Sequence, residues 1–255
     1  MTGMKRDSRH AVRTAFRVRQ KTLIVDLGGL RSVLSSAPKA GGITRARYIL
    51  NHQVAAKPIG RDNHDMSPGA RCADPARTLS KLAISLGIKD RFVGLMTAVS
   101  LMDLVTLREA DDQIWVEGFV TVGTSNAVRA GEPIAPERRA NNPTYPGTIN
   151  LILVTNARLS VSAMVGMVQV ATEAKAAVLL YAKVKSWSGR EGATGTGTDA
   201  VVVVSGDGPA HRYSGTHTIL GELVGRLVGT AVTEGLGRYM RRQARSRSSH
   251  GMSKP

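Results

Sequence analysis

Ala193-Thr-Gly-Thr-Gly-Thr-Asp199 runs straight into the four valines Val201–Val204. Four consecutive β-branched residues fit a buried strand, so a polar glycine turn is delivered to the edge of a core. Glycine lets the backbone come close to a ligand, while threonine hydroxyls and Asp199 offer donors and acceptors at its rim. The same residue types build ordinary turns, and a capped strand fits them too. Upstream, a helical stretch carries Glu173-Ala-Lys175. Residues two apart on a helix point in different directions, so at most one of the two is an ordinary surface charge. A buried Glu173–Lys175 ion pair is the structural alternative.

The rest of the chain alternates strand and helix signals. Phe16–Val18 starts a strand, and Leu23–Leu27, Gly28-Gly29 and Val33-Leu34 read as a hairpin or tight strand connection. Ala46, Ile49 and Leu50 share a helical face, which predicts a short helix over 43–50. His52 to Asp74 reads as a long loop; Asp74 and Pro75 then open a helix with Leu79, Leu82, Ala83 and Leu86 buried before Gly87 ends it. Strands follow over 92–99, 102–107 and 114–122, the last two as a hairpin. Residues 129–146, with four prolines, read as a flexible flap. Ile149–Val154 is a further strand, Ser160 caps a helix through about Tyr181, and a final helix with Leu220, Leu223, Val224, Leu227, Val228 and Val232 runs past Arg238. Hairpins followed by single helices point to α+β: a single domain with mixed or antiparallel sheets and packed helices.

At 255 residues and 42% hydrophobic content the chain supports one large core, aliphatic because aromatics are only 4%. No run of about 18 apolar residues occurs and the amino terminus lacks the apolar segment of a secretory signal, so the expected compartment is the cytoplasm, without a membrane partner. Cys72 is the single cysteine, which excludes an internal disulfide and a cysteine metal cluster. The net charge of +16 raises nucleic acid as a partner, yet most of it lies at the ends. Residues 1–21 hold seven Lys and Arg against Asp7, and residues 238–255 hold six unopposed. These read as solvated tails, so no nucleic-acid partner is expected. The domain boundaries follow: a basic extension over 1–20, one domain over 21–237, and a disordered basic tail over 238–255.

Short motifs flank the glycine turn on both sides: Gly123-Thr-Ser-Asn126 with Ala127-Val-Arg-Ala-Gly131, Gly147-Thr-Ile-Asn150, Gly215-Thr-His-Thr218 and Leu220-Gly-Glu222-Leu-Val-Gly-Arg226. Leu34-Ser-Ser-Ala-Pro38, Gly41-Gly42, Ile49-Leu-Asn51 and Gly94-Leu-Met-Thr97 precede them. In this order the set resembles the adenosylcobinamide amidohydrolase family of corrinoid salvage enzymes, over roughly residues 30–237. The resemblance implies cleavage of the amide that joins the aminopropanol arm to the corrin ring, giving adenosylcobyric acid and 1-amino-2-propanol or its phosphate. The corrinoid is then a small-molecule substrate, and no cofactor is expected. A non-catalytic corrinoid carrier is the rival reading.

Amide hydrolysis needs a nucleophile, a base, oxyanion donors and an acid for the leaving amine. Asp199 and Glu173 are the candidate bases; Glu222 lies four residues before Arg226 and reads as a surface ion pair. His217 fits a base, an acid, a metal ligand or a turn-satisfying residue at a helix start. Lys175 fits a group that polarises a carbonyl. Asn126, Asn150 and the amides of Gly195, Thr196, Gly197 and Thr198 are candidate substrate-binding groups, and both asparagines also fit strand-end turns. His52, Asp62, His64 and Asp65 match no metal-ligand spacing, so no metal site is assigned.

Overall fold

A computed structural model describes residues 12–54, 74–133 and 147–251, with side chains to residue 245. Val201–Val204 lies in the middle of its main sheet. In chain order the elements are β1 (Ala15–Arg19), β2 (Thr22–Ser35), β3 (Gly42–Gln53), α1 (Pro75–Ser85), β4 (Phe92–Thr97), β5 (Val105–Ala110) and β6 (Trp115–Val122). They continue with β7 (Ala127–Val128), β8 (Ile149–Thr155), β9 (Arg158–Leu159), α2 (Val161–Tyr181), β10 (Gly195–Thr196), β11 (Ala200–Val204), β12 (Ala210–His211) and α3 (Ile219–Gly251). The main sheet runs β4-β3-β2-β11-β8-β6-β5, with β1 added to the first half of β2. β3 and β4 are parallel, as are β11 and β8; the other pairs are antiparallel. The fold is α+β, one domain with a mixed sheet.

Every residue of β8 and β11 is buried because both faces of the sheet are covered. On one side Leu151, Leu153, Val201 and Val203 pack against α2 and α3 through Met164, Met167, Leu223, Val224 and Leu227. Gly118 lets α3 come this close: a Cβ there would stand 2.4 Å from Leu227 Cδ2. α2 is long and apolar enough to cross a membrane by composition, but Ala163, Met164, Met167, Ala171 and Leu179 are spent on this core. On the other side the sheet curls, so Leu23 and Val25 of β2 share a cluster with Phe119 of β6 and Ile152 of β8. α1, capped by Asp74 with Pro75 at its first turn, covers Ile24 and Leu50 at the outer edge.

Three local expectations are corrected. Residues 22–35 form one bulged strand, not a hairpin: Gly28 takes φ +74° and pairing with β3 resumes beyond a register break between Asp26 and Arg31. Residues 43–50 form β3, not a helix. The same irregularity skips Arg47 and brings Ala46 and Ile49 into one core cluster, which imitates a helical period. The basic carboxyl-terminal stretch continues α3 to Gly251 rather than forming a disordered tail, and its first residues are fastened to the body: Arg242 binds both oxygens of Asp103 (2.5 and 2.9 Å) and Arg238 donates to Leu104 O. At the other end, β1 joins the sheet that the proposed boundary at residue 20 would have split from it. The flap beyond Pro133, Cys72, Asp62, His64 and Asp65 lie outside the described residues.

Candidate active site

β8 and β11 run parallel, so both present their amino-terminal ends at the same edge of the sheet. Asp199 immediately precedes β11, and α2, which returns antiparallel after β8, brings Lys175 to the same edge. Lys175 Nζ donates to Asp199 Oδ2 at 2.5 Å, with side chains only 8% and 14% exposed. Lys175 therefore finds its buried partner in Asp199 and not in Glu173. Glu173 is exposed and accepts from Gln169 Nε2 at 3.2 Å one turn back, so the helix splits the two charges as their spacing demands.

Asp199 is held by more than the lysine. Its Oδ1 accepts from Thr196 Oγ1 (2.5 Å) and Ile149 N (2.9 Å), while Oδ2 also accepts from Thr196 N (3.0 Å). The glycine turn is shaped to permit this: a Cβ on Gly195 would stand 2.5 Å from Asp199 Oδ2 and 3.0 Å from Lys175 Nζ. Short β10 pairs with β7, placing Thr196 opposite Ala127 beside Asn126. Thr148, not singled out from sequence although it lies within the Gly-Thr-x-Asn motif, donates to Thr198 O at 2.8 Å, and Thr198 Oγ1 donates to Gly147 O at 3.0 Å. Together these bonds fasten the turn to the start of β8.

An open cleft of about 720 Å³ lies over the pair, bordered by Glu173, Lys175, Gly195, Thr196, Gly197 and Asp199. Its volume is that of a small-molecule pocket. Asn126 stands behind Gly197, and its buried Oδ1 has no hydrogen-bond partner. Asn150 faces inward instead: Nδ2 donates to Asn51 Oδ1 (3.0 Å) and Met96 O (2.9 Å), and Asn51 in turn donates to Thr121 Oγ1 (3.3 Å). These bonds tie β8 to β3, β4 and β6 across the curl of the sheet, beneath the cleft.

His217 is not brought to this site. It is exposed at the start of α3, three residues after Ser214, whose hydroxyl donates to Ala163 O in the first turn of α2. Lys175 lies 12 residues farther along that helix, roughly 18 Å at 1.5 Å per residue. Glu222 forms the anticipated pair with Arg226 at 2.5 Å. His52 sits on β3 with Nδ1 2.9 Å from Thr22 Oγ1; burial holds its pKa below the ordinary histidine value, against the opposing effect of a hydrogen bond to the Lys21 backbone. Among the described residues no three His, Cys, Asp or Glu side chains gather as a metal site. A second cavity of about 440 Å³ opens at the opposite end of β8 and β11, bordered by Trp115 and Asn156, with Arg31 paired to Asp207 at its mouth.

Comparison with known proteins draws the motifs and the geometry together. Residues 5–244 match the adenosylcobinamide amidohydrolase family, a span that takes in much of both basic ends. An adenosylcobinamide amidohydrolase of Methanosarcina mazei is 32% identical over 231 residues, covering 87% of this chain and 96% of its own. An uncharacterized protein of Methanocaldococcus jannaschii is 32% identical over 231 residues, covering 85% and 86% respectively. A crystallised protein of Pyrococcus horikoshii OT3 superposes with a TM-score of 0.41 at 11% identity, covering 90% of this chain and 81% of its own, too distant a likeness to bear on fold or function. The match over nearly the whole length, supported by a relative that is 96% covered, makes this chain a member of the adenosylcobinamide amidohydrolase family.

Proposed function

We propose that the protein hydrolyses adenosylcobinamide at the amide between the corrin ring and its aminopropanol arm, releasing adenosylcobyric acid for cobalamin salvage. Family membership supplies the reaction class, and the observation that carries the assignment to a site is the buried Lys175–Asp199 pair exposed to an open cleft. The open mouth lets the arm reach the pair while the bulky ring stays outside. Lys175, held by Asp199 in a place shielded from water, stabilises the oxyanion that forms on the amide carbonyl. Asn126, with its Oδ1 buried against Gly147 and its Nδ2 behind Gly197, supports the glycine turn from below. Asp199 already accepts four hydrogen bonds and has no lone pair left for a water, so Glu173, on the solvent side of the cleft, is the carboxylate that activates water. Asn150 supports the floor, and His217 takes no part. The corrinoid is the substrate of this reaction.

Purified protein incubated with adenosylcobinamide should yield adenosylcobyric acid by mass spectrometry, with the same product when chelator is present. Tight binding without turnover would replace the reading with that of a carrier, and neither turnover nor binding would remove corrinoid from the account.

A further inference from the structure

The saturation of Asp199 has a chemical consequence. A carboxylate offers about four lone-pair positions, and here all four are taken: Oδ1 by Thr196 Oγ1 and Ile149 N, Oδ2 by Lys175 Nζ and Thr196 N. Two of these donors are backbone amides, which do not titrate, and the third is the lysine ammonium. The one remaining proton that Asp199 can take as a base is the hydroxyl proton of Thr196, 2.5 Å away between oxygens. Thr196 borders the cleft, and it is flanked by Gly195 and Gly197, which carry no side chains to cover it. Its hydroxyl has the partner that an activated nucleophile requires: a base within hydrogen-bond reach, itself oriented by a third group.

Resting on the amide-hydrolysis reading above, we infer that Thr196 is the nucleophile of a two-step acyl transfer, with Asp199 as its base and Lys175 as the group that orients Asp199. In the first step Thr196 Oγ bonds to the scissile carbonyl carbon and its proton passes to Asp199 Oδ1. The C–N bond then breaks, and the nitrogen leaves as 1-amino-2-propanol after taking that proton. An ester now joins the corrin side chain to Thr196. In the second step a water held by Glu173 at the rim attacks the ester carbonyl and gives its proton to Asp199 Oδ1, which is free of the Thr196 hydroxyl once Oγ carries the acyl group. The C–O bond to Thr196 breaks, Oγ takes that proton back from Asp199, and the corrin acid departs. Water is the only co-reactant.

The distinctive species is the ester. Rapid acid quench of the full-length protein during turnover of adenosylcobinamide, followed by peptide mass spectrometry, should find the corrin acyl mass on the peptide that contains Thr196. Thr196→Ala should lose about 10³-fold or more in kcat with no acyl adduct, and Thr196→Ser should stay within about tenfold of the parent and still form one. Circular dichroism and thermal melting of both variants report whether the fold survives. A parent that turns over while Thr196→Ala, folded, keeps its rate within about threefold overturns the nucleophile and leaves the amidohydrolase intact. An adduct on any other residue overturns it equally. A parent that releases no amine at all refutes the amidohydrolase reading itself, and this inference with it.

Discussion

Arg108–Glu117 and Lys175–Asp199 are both ion pairs closed at 2.5 Å between largely buried side chains, yet their surroundings differ in kind. Arg108 and Glu117 face each other across the β5–β6 hairpin, Arg108 lies 4.5 Å over the Trp115 ring, and Glu117 also accepts from the amides of Arg13 and Thr14. That pair is made by local pairing and fastens the amino-terminal segment to the body. Lys175 and Asp199 come from two elements joined by a long connection, meet over glycines that leave room for them, and border a cleft. Burial of charge is common to both. Access is what separates a site from a fastening, since a buried pair costs desolvation wherever it stands and gains a chemical use only where substrate reaches it.

The comparison breaks most sharply at the acids. Asp199→Asn should lower kcat/KM by about 10²–10³-fold, because Lys175 loses the partner that positions it and Thr196 loses its base; steady-state kinetics on folded variant decides it. Glu117→Gln should do the reverse, destabilising the protein by about 3 kcal/mol in urea unfolding, since Arg108 is left buried beside an uncharged partner, while kcat per folded molecule is unchanged. A variant of Glu117 that lost activity without losing stability would erase the distinction.

The glycines sharpen it. Gly195→Ala puts a methyl 2.5 Å from Asp199 Oδ2 and should cost about 10-fold or more in kcat, whereas Gly197→Ala, whose nearest contact is 3.9 Å away at Asn126 Nδ2, should stay within about threefold as judged in the same assay. A smaller effect belongs to His52, away from both pairs. Its pKa is lowered by burial, so the unfolded chain takes up the proton first and the native state loses stability as pH falls through about 6.5. Replacing His52 with Gln should flatten that loss in melts between pH 7.5 and 5.5. The smallest effect is expected for His217→Ala, which should leave both kcat and melting temperature unchanged; a large fall in kcat would bring the start of α3 back into the chemistry.

Much of this arrangement was legible from residue order. The glycine turn before Val201–Val204, the caps at Asp74 and Ser160, and the opposed directions of Glu173 and Lys175 follow from local rules, and the structure has each of them. What sequence could not supply was partnership. Lys175 had Glu173 as its neighbour in the chain, and only the antiparallel return of α2 brings it to Asp199 instead. Asn150 had the look of a rim residue, but its partners Asn51 and Met96 lie about 100 and 54 positions away. The strand β3 was hidden for a different reason, because a skipped residue at Arg47 shifts the alternation that marks a strand.

The central claim is that the amide is cleaved at Lys175 and Asp199. A crystal structure of the unaltered protein with adenosylcobyric acid, the stable product, tests it most directly. The carboxylate freed by hydrolysis should lie within hydrogen-bond distance of Lys175 Nζ, with the corrin ring at the mouth of the cleft beside Glu173. A corrinoid seated instead in the cavity bordered by Trp115 and Asn156, at the opposite end of β8 and β11, would contradict the account.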